Sequence, residues 1–171
     1  MRGIVEWLES TAFHEALLAP WVVPTIQTIH ILAVAAIMGS VLMVGLRVMR
    51  TAEGRPTMAA TASRFVPWIW AALIVLLTTG LLLIAAEPPR ELYNIIFWFK
   101  MALVALGAIV TALFQRSVRR NAAYWETDPA SRRGTVVFAL LTFLLWIVIA
   151  IAGRWIAYLE NIPSLPQTIF N

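Results

Sequence analysis

His30, Lys100 and Arg154 each sit inside a long apolar run, where a charge or a titratable ring is costly. Such groups survive in hydrocarbon by facing a partner, a water-filled cavity or a ligand. Gln27 lies one helical turn before His30, Thr78 and Thr79 interrupt a second apolar run, and Trp98 and Trp155 flank Lys100 and Arg154 in sequence. Two fixed cations and an imidazole suit an anionic or redox-active head group: guanidinium and ammonium donate charge-assisted hydrogen bonds, and imidazole can accept or donate. A quinone, the propionates of a haem b and a lipid phosphate all fit that description. The expected ligand-binding set is therefore His30, Lys100, Arg154, Gln27, Thr78, Thr79 and Trp98, with His30 and His14 as metal-ligand candidates.

Their depths agree. Counted from the ends of their apolar runs, His30 and Lys100 fall about six residues in, Arg154 a similar distance, and Thr78 and Thr79 seven or eight, or ~8–12 Å at the helical rise, with Gln27 one turn nearer the end. Simpler readings stand beside this one. Lys and Arg near helix ends can snorkel to the head groups, His30 can simply hydrogen-bond a neighbouring helix, and Glu87 or Glu91 can neutralise Lys100 or Arg154. A bis-histidine haem needs both His14 and His30, which meet only if the segment before the first span folds over the bundle mouth. Met38, Met43 and Met49 run away from His30, so they read as ordinary packing rather than copper ligands. The chain has no cysteine, which removes thiolate chemistry. It also shows no Ser/His/Asp set and no phosphate-binding glycine loop.

The elements that must position these residues follow from composition. The chain of 171 residues is 61% hydrophobic and only 13% charged, with a mean hydropathy of +0.81. Four runs, about residues 25–46, 65–86, 94–115 and 136–158, reach the ~20 residues that cross a ~30 Å hydrocarbon core. They are apolar on every face rather than alternating, which excludes barrel strands. The expected fold is all-α: one domain, a bundle of four transmembrane helices. Arg47, Arg50, Arg55 and Arg64 follow the first run, and Arg116, Arg119, Arg120, Arg132 and Arg133 follow the third. The opposite side has only Arg2 and Arg90 in its connections, so the positive-inside rule places both termini away from the cytoplasm. Basic residues placed this way report topology and lipid contact rather than nucleic acid.

Local signals complete the expectation. Ile4, Trp7, Leu8, Thr11 and Leu18 share a face opposite Glu6, Glu9 and Ser10, so residues 1–23 read as a periplasmic amphipathic helix at the interface, with Pro20 and Pro24 turning the chain inward. Pro67 can kink the second helix, Glu87-Pro88-Pro89 ends it, and Asp128-Pro129 reads as the start of the fourth. Ala35 with Gly39, and Gly153 with Ala157, have the spacing of close helix contacts, within the bundle or in a homo-oligomer.

The stretches Trp7-Leu8-Glu9-Ser10-Thr11, Gln27-Thr28-Ile29-His30-Ile31-Leu32, Gly45-Leu46-Arg47, Phe99-Lys100-Met101 and Ala152 through Tyr158 resemble a family of small bacterial four-span membrane proteins without an assigned function. The resemblance covers most of the chain and implies a bacterial inner-membrane location. It also implies a distant likeness to copper-resistance membrane proteins and small b-type cytochromes. Family members often carry a histidine near the end of the third span, where this chain has Gln115, which weakens any histidine site at that end. Three functions follow as expectations: a pocket for an anionic or redox ligand, associated with electron transfer; an accessory subunit or assembly factor of a larger membrane complex; or periplasmic copper handling.

Overall fold

In hydrocarbon, backbone N–H and C=O groups must pair within the segment that carries them, and a helix does this throughout its interior. The computed structural model describes residues 2–49, 56–127 and 133–156, and among them every regular element is a helix. In chain order these are α1 (Arg2–Glu9), α2 (Ala12–Leu17), α3 (Val22–Met49), α4 (Met58–Ala86), α5 (Pro88–Leu92), α6 (Ile95–Arg120), α7 (Ala122–Trp125) and α8 (Arg133–Ile156). Arg50, Arg55, Asp128, Pro129, Arg132, Ala157 and Tyr158 lie outside the described residues.

Helix ends follow capping chemistry. Thr57 accepts the Ala60 N–H at 3.1 Å to open α4, and Asn94 accepts the Ile96 N–H at 2.9 Å to open α6. α4 stops at Ala86 because Pro88 holds Glu87 out of helical geometry, and the two prolines then supply the first turn of α5, where no N–H is needed. Pro24 likewise falls in the first turn of α3, so that helix starts at Val22, earlier than its apolar run suggests. Pro67 is accommodated within α4, which is continuous. The single amphipathic helix expected over residues 1–23 is instead two short helices. Ser10 donates to the Trp7 carbonyl and Thr11 to that of Leu8, while Thr11 accepts the His14 N–H at 3.2 Å, so local side-chain bonds end one helix and begin the next.

The four long helices, α3, α4, α6 and α8, are each long and apolar enough to cross a membrane. α3 packs most closely on α4, α8 lies against both α3 and α6, and the α4–α6 seam is sparser. The core interleaves Ala33, Ile37 and Val41 of α3 with Ile69, Ala72 and Leu76 of α4 and with Trp146 and Ile149 of α8. Ala35 and Gly39 face outward, whereas Ala33 and Ser40 are the small residues turned into the bundle. Large side chains such as Ile74 (65% exposed), Leu32 and Leu141 cover the outer faces. A surface this apolar is matched by lipid, and the chain is a multi-pass membrane protein.

At the arginine-rich end Trp125 of α7 plugs the bundle among Val48, Met58, Ala62, Val66 and Val118. Its indole N–H donates to Ser117 Oγ at 3.2 Å and its ring meets Phe114 edge-on. The next residue, Glu126, accepts from Arg47 at 2.6 Å with one oxygen and from the Met58 N–H at 2.6 Å with the other. That carboxylate therefore ties the end of α3 to the start of α4 and also faces the positive end of a helix dipole.

Trp146 is the largest side chain in the centre of the core, 2% exposed. It fits because α6 carries glycine at 107, where a Cβ would stand 2.9 Å from the indole Cζ2. Gly107→Val is expected to destabilise the protein by about 1–3 kcal/mol through overpacking. Thermal unfolding in detergent, followed by tryptophan fluorescence, checks this, and an unchanged transition would contradict the packing described.

Candidate functional site

The four long helices alternate in direction, so the start of α3, the end of α4, the start of α6 and the end of α8 meet at one end of the bundle. His30 comes from α3, Thr79 and Gly80 from α4, Lys100 from α6 and Gly153 from α8. α5 joins α4 to α6 above them, while α2 leans on α4 and α1 on α5. Leu17, Ile26 and Ala86 form the small core that holds α2 down.

His30 Nδ1 lies 2.7 Å from Thr79 Oγ1, which itself lies 2.7 Å from the Val75 carbonyl. Each of these contacts needs one proton, and the threonine has only one. Two oxygens at that distance repel unless a proton lies between them, so the hydroxyl donates to Val75 O and accepts from His30 Nδ1–H. The partners thus place the ring proton on Nδ1. This leaves the Nε2 lone pair of neutral His30 open, and no described residue bonds to that atom. The ring also lies along α4 at Gly80, where a Cβ would approach its Cε1 to 3.9 Å.

Lys100 enters from the other side of the bundle. Its stem crosses Gly153 of α8, with Cδ 3.7 Å from where a Cβ would be. Its ammonium stands 5.7 Å from the centroid of the buried Phe97 ring, a cation–π contact. Glu91 of α5 feels the Lys100 charge from beyond the start of α6. Glu91 is half-buried. Burial pushes its carboxyl above the usual carboxylate range; Lys100 and Arg90 draw it back down, and Glu87 pushes it up. Glu87 itself pairs with Arg90.

His30 and Thr79 thus meet between α3 and α4, and Lys100 enters the same end of the bundle between α6 and α8. The other expected residues do not join them there. Thr78 is exposed and bonds the carbonyl of Ile74 in its own helix, Gln27 is exposed on α3, and Arg154 is exposed on α8 beside Gly153. Trp98 lies at the rim and donates its indole N–H to Leu92 O at 3.1 Å, which fastens α5 to α6. His14 donates Nδ1–H to Ala85 O at 2.8 Å, one of the carbonyls that α4 leaves open at its end. That anchor lies six residues, or about 9 Å, beyond Thr79 along the same helix. Glu91, Gly80 and Gly153 complete the site. Gly80 and Gly153 carry a sequence signal only in hindsight, as small residues at the depth of a polar side chain on a facing helix.

A membrane-embedded bundle of four helices with an internal polar cluster at one end is the class of protein that fold and site define. The chain belongs to DUF6644, a family of unknown function, whose model matches residues 16–159. No curated protein and no solved structure matches it.

Because burial raises the Glu91 carboxyl, the folded state holds that proton more tightly than the unfolded state. The resulting stabilisation is present below the ordinary carboxylate pKa and is lost as pH rises through the raised value. Glu91→Gln should therefore flatten the fall in thermal stability as pH rises above the ordinary carboxylate range. A slope of unfolding temperature against pH equal to that of the parent would contradict this environment for Glu91.

Proposed function

We propose that this protein is a bacterial inner-membrane component, its termini in the periplasm, that holds a small anionic or redox-active head group in the cluster around His30, Thr79 and Lys100. The quinone/quinol couple suits the site best, and the role is associated with electron transfer. The reading is carried by one observation: His30 gives its Nδ1–H to Thr79 across the α3–α4 seam and keeps Nε2 open, at the end of the bundle where the stem of Lys100 crosses Gly153.

The chemistry follows from the donors and acceptors present. Nε2 accepts the hydroxyl of a quinol, and Lys100 donates to the second ring oxygen or to its anion. Thr79 acts on the ligand only through the ring it orients. Glu91 at the rim completes a line of titratable groups between His30 and the bundle mouth. The flat apolar body of the ligand packs between helix ends, as small-molecule sites usually require.

A second reading has its own support. Both histidines spend Nδ1–H on a protein acceptor and have Nε2 open, which is how metal-ligating histidines are usually oriented. Ligation of haem iron or copper by His30 with His14 would use the same nitrogens. A Soret band or stoichiometric metal in the purified protein would favour it over the quinone reading.

Protein purified in mild detergent should yield extractable quinone at close to one per chain. His30→Ala and Lys100→Met should lower that yield about tenfold, equivalent to ~1.4 kcal/mol of binding. Arg154→Ala, on the exposed face of α8, should retain it. Equal quinone content in the parent, His30→Ala and Lys100→Met would overturn the proposal. Orientation has a separate test: alkaline phosphatase fused at the C-terminus should be active and should lose activity when fused in the connection between α3 and α4. The reverse pattern would invert the topology.

A further inference from the structure

The last turns of α6 carry a second polar feature, at the opposite end of the molecule and independent of the head-group site. After Phe114 the helix continues Gln115, Arg116, Ser117, Val118, Arg119, Arg120. At 100° per residue, positions 112, 115, 116, 119 and 120 share one face, and Phe114 and Val118 turn the other way, toward Trp125. Ala112, Gln115, Arg116, Arg119 and Arg120 line an open hollow on that face.

Every charged side chain in the hollow is a cationic donor. Among the described residues, no carboxylate pairs with Arg116, Arg119 or Arg120, whereas Arg47 and Arg90 have glutamate partners. Gln115 receives the Trp70 indole N–H on Oε1 at 3.2 Å, so its amide nitrogen is left to donate. Three cations within little more than one helical turn repel one another unless an anion lies among them. The hollow begins where α6 leaves its apolar run, and Ala112, small and one turn back toward that run, extends it as a furrow.

We infer that this face of α6 binds the phosphodiester head group of an anionic phospholipid, with a diphosphatidylglycerol-type lipid as its best fit. Three guanidinium forks and one amide can serve two phosphates bidentately, which a single-phosphate lipid cannot fully use. The acyl chain nearest Ala112 runs down the furrow beside Leu113 and Ile109, both exposed on α6. Basic patches between or beside transmembrane helices attract such lipids by the same electrostatics.

The test uses the full chain in nanodiscs of phosphatidylcholine doped with diphosphatidylglycerol or with phosphatidylglycerol, read by native mass spectrometry of the released protein. Arg116→Gln/Arg119→Gln/Arg120→Gln should lose about tenfold in retained diphosphatidylglycerol. Arg64→Gln, which removes one cation from the same end outside the hollow, should keep it. Ala112→Leu fills the furrow without altering charge and should weaken retention as well, so the inference stays testable if the triple variant folds poorly. Equal retention in the parent, the triple variant and Ala112→Leu would overturn it. So would equal loss in Arg64→Gln, undiminished retention of phosphatidylcholine, or displacement of the lipid by a short RNA.

Discussion

Hydrocarbon offers no hydrogen bonds, and this requirement for internal pairing governs the whole molecule. The long helices satisfy their backbones by geometry. Their threonines obey the same demand: Thr25, Thr28, Thr78, Thr79, Thr111 and Thr142 each return the hydroxyl proton to a carbonyl four residues back. A hydroxyl used in this way can still accept. Thr79 does so, and the proton it accepts orients the imidazole of His30. The candidate site therefore arises from the same bond that makes a threonine tolerable in a membrane helix.

The two ends of the bundle meet their polar requirements differently. At the arginine-rich end, Glu126 joins Arg47 to the first N–H of α4, and Trp125 seals the core beneath it. This is a closed arrangement of ion pair, helix start and aromatic plug, and it holds helices together. At the other end, short helices cover the bundle, the glycines at 80 and 153 let the His30 ring and the Lys100 stem lie against the facing helices, and His30 keeps one ring nitrogen unused. The core between the two ends, centred on Trp146 against Gly107, keeps them in fixed register.

Both proposed ligands belong to the bilayer. A quinone would reach the His30 cluster from the membrane, and the arginine face of α6 lies just past the end of its apolar run. Trp98 and the α5 segment it fastens form the rim through which a head group would pass. Their short, polar, proline-started structure contrasts with the long continuous helices below.

The four spans, their lengths and the clustering of arginine at one end were legible in the chain, because apolar length and charge position are properties of consecutive residues that need no partner. The common depth of His30, Thr79 and Lys100 was legible for the same reason: helical rise converts sequence distance to height. Rotation about each helix axis was not, since in runs apolar on all sides the hydropathy does not mark the inner face. Only packing decided that Thr79 faces inward and Thr78 outward, that Arg154 stays on the exposed face while Lys100 crosses Gly153, and that Glu126 reaches Arg47. Sequence sets height along a membrane helix; the neighbours it packs against set the direction in which each side chain points.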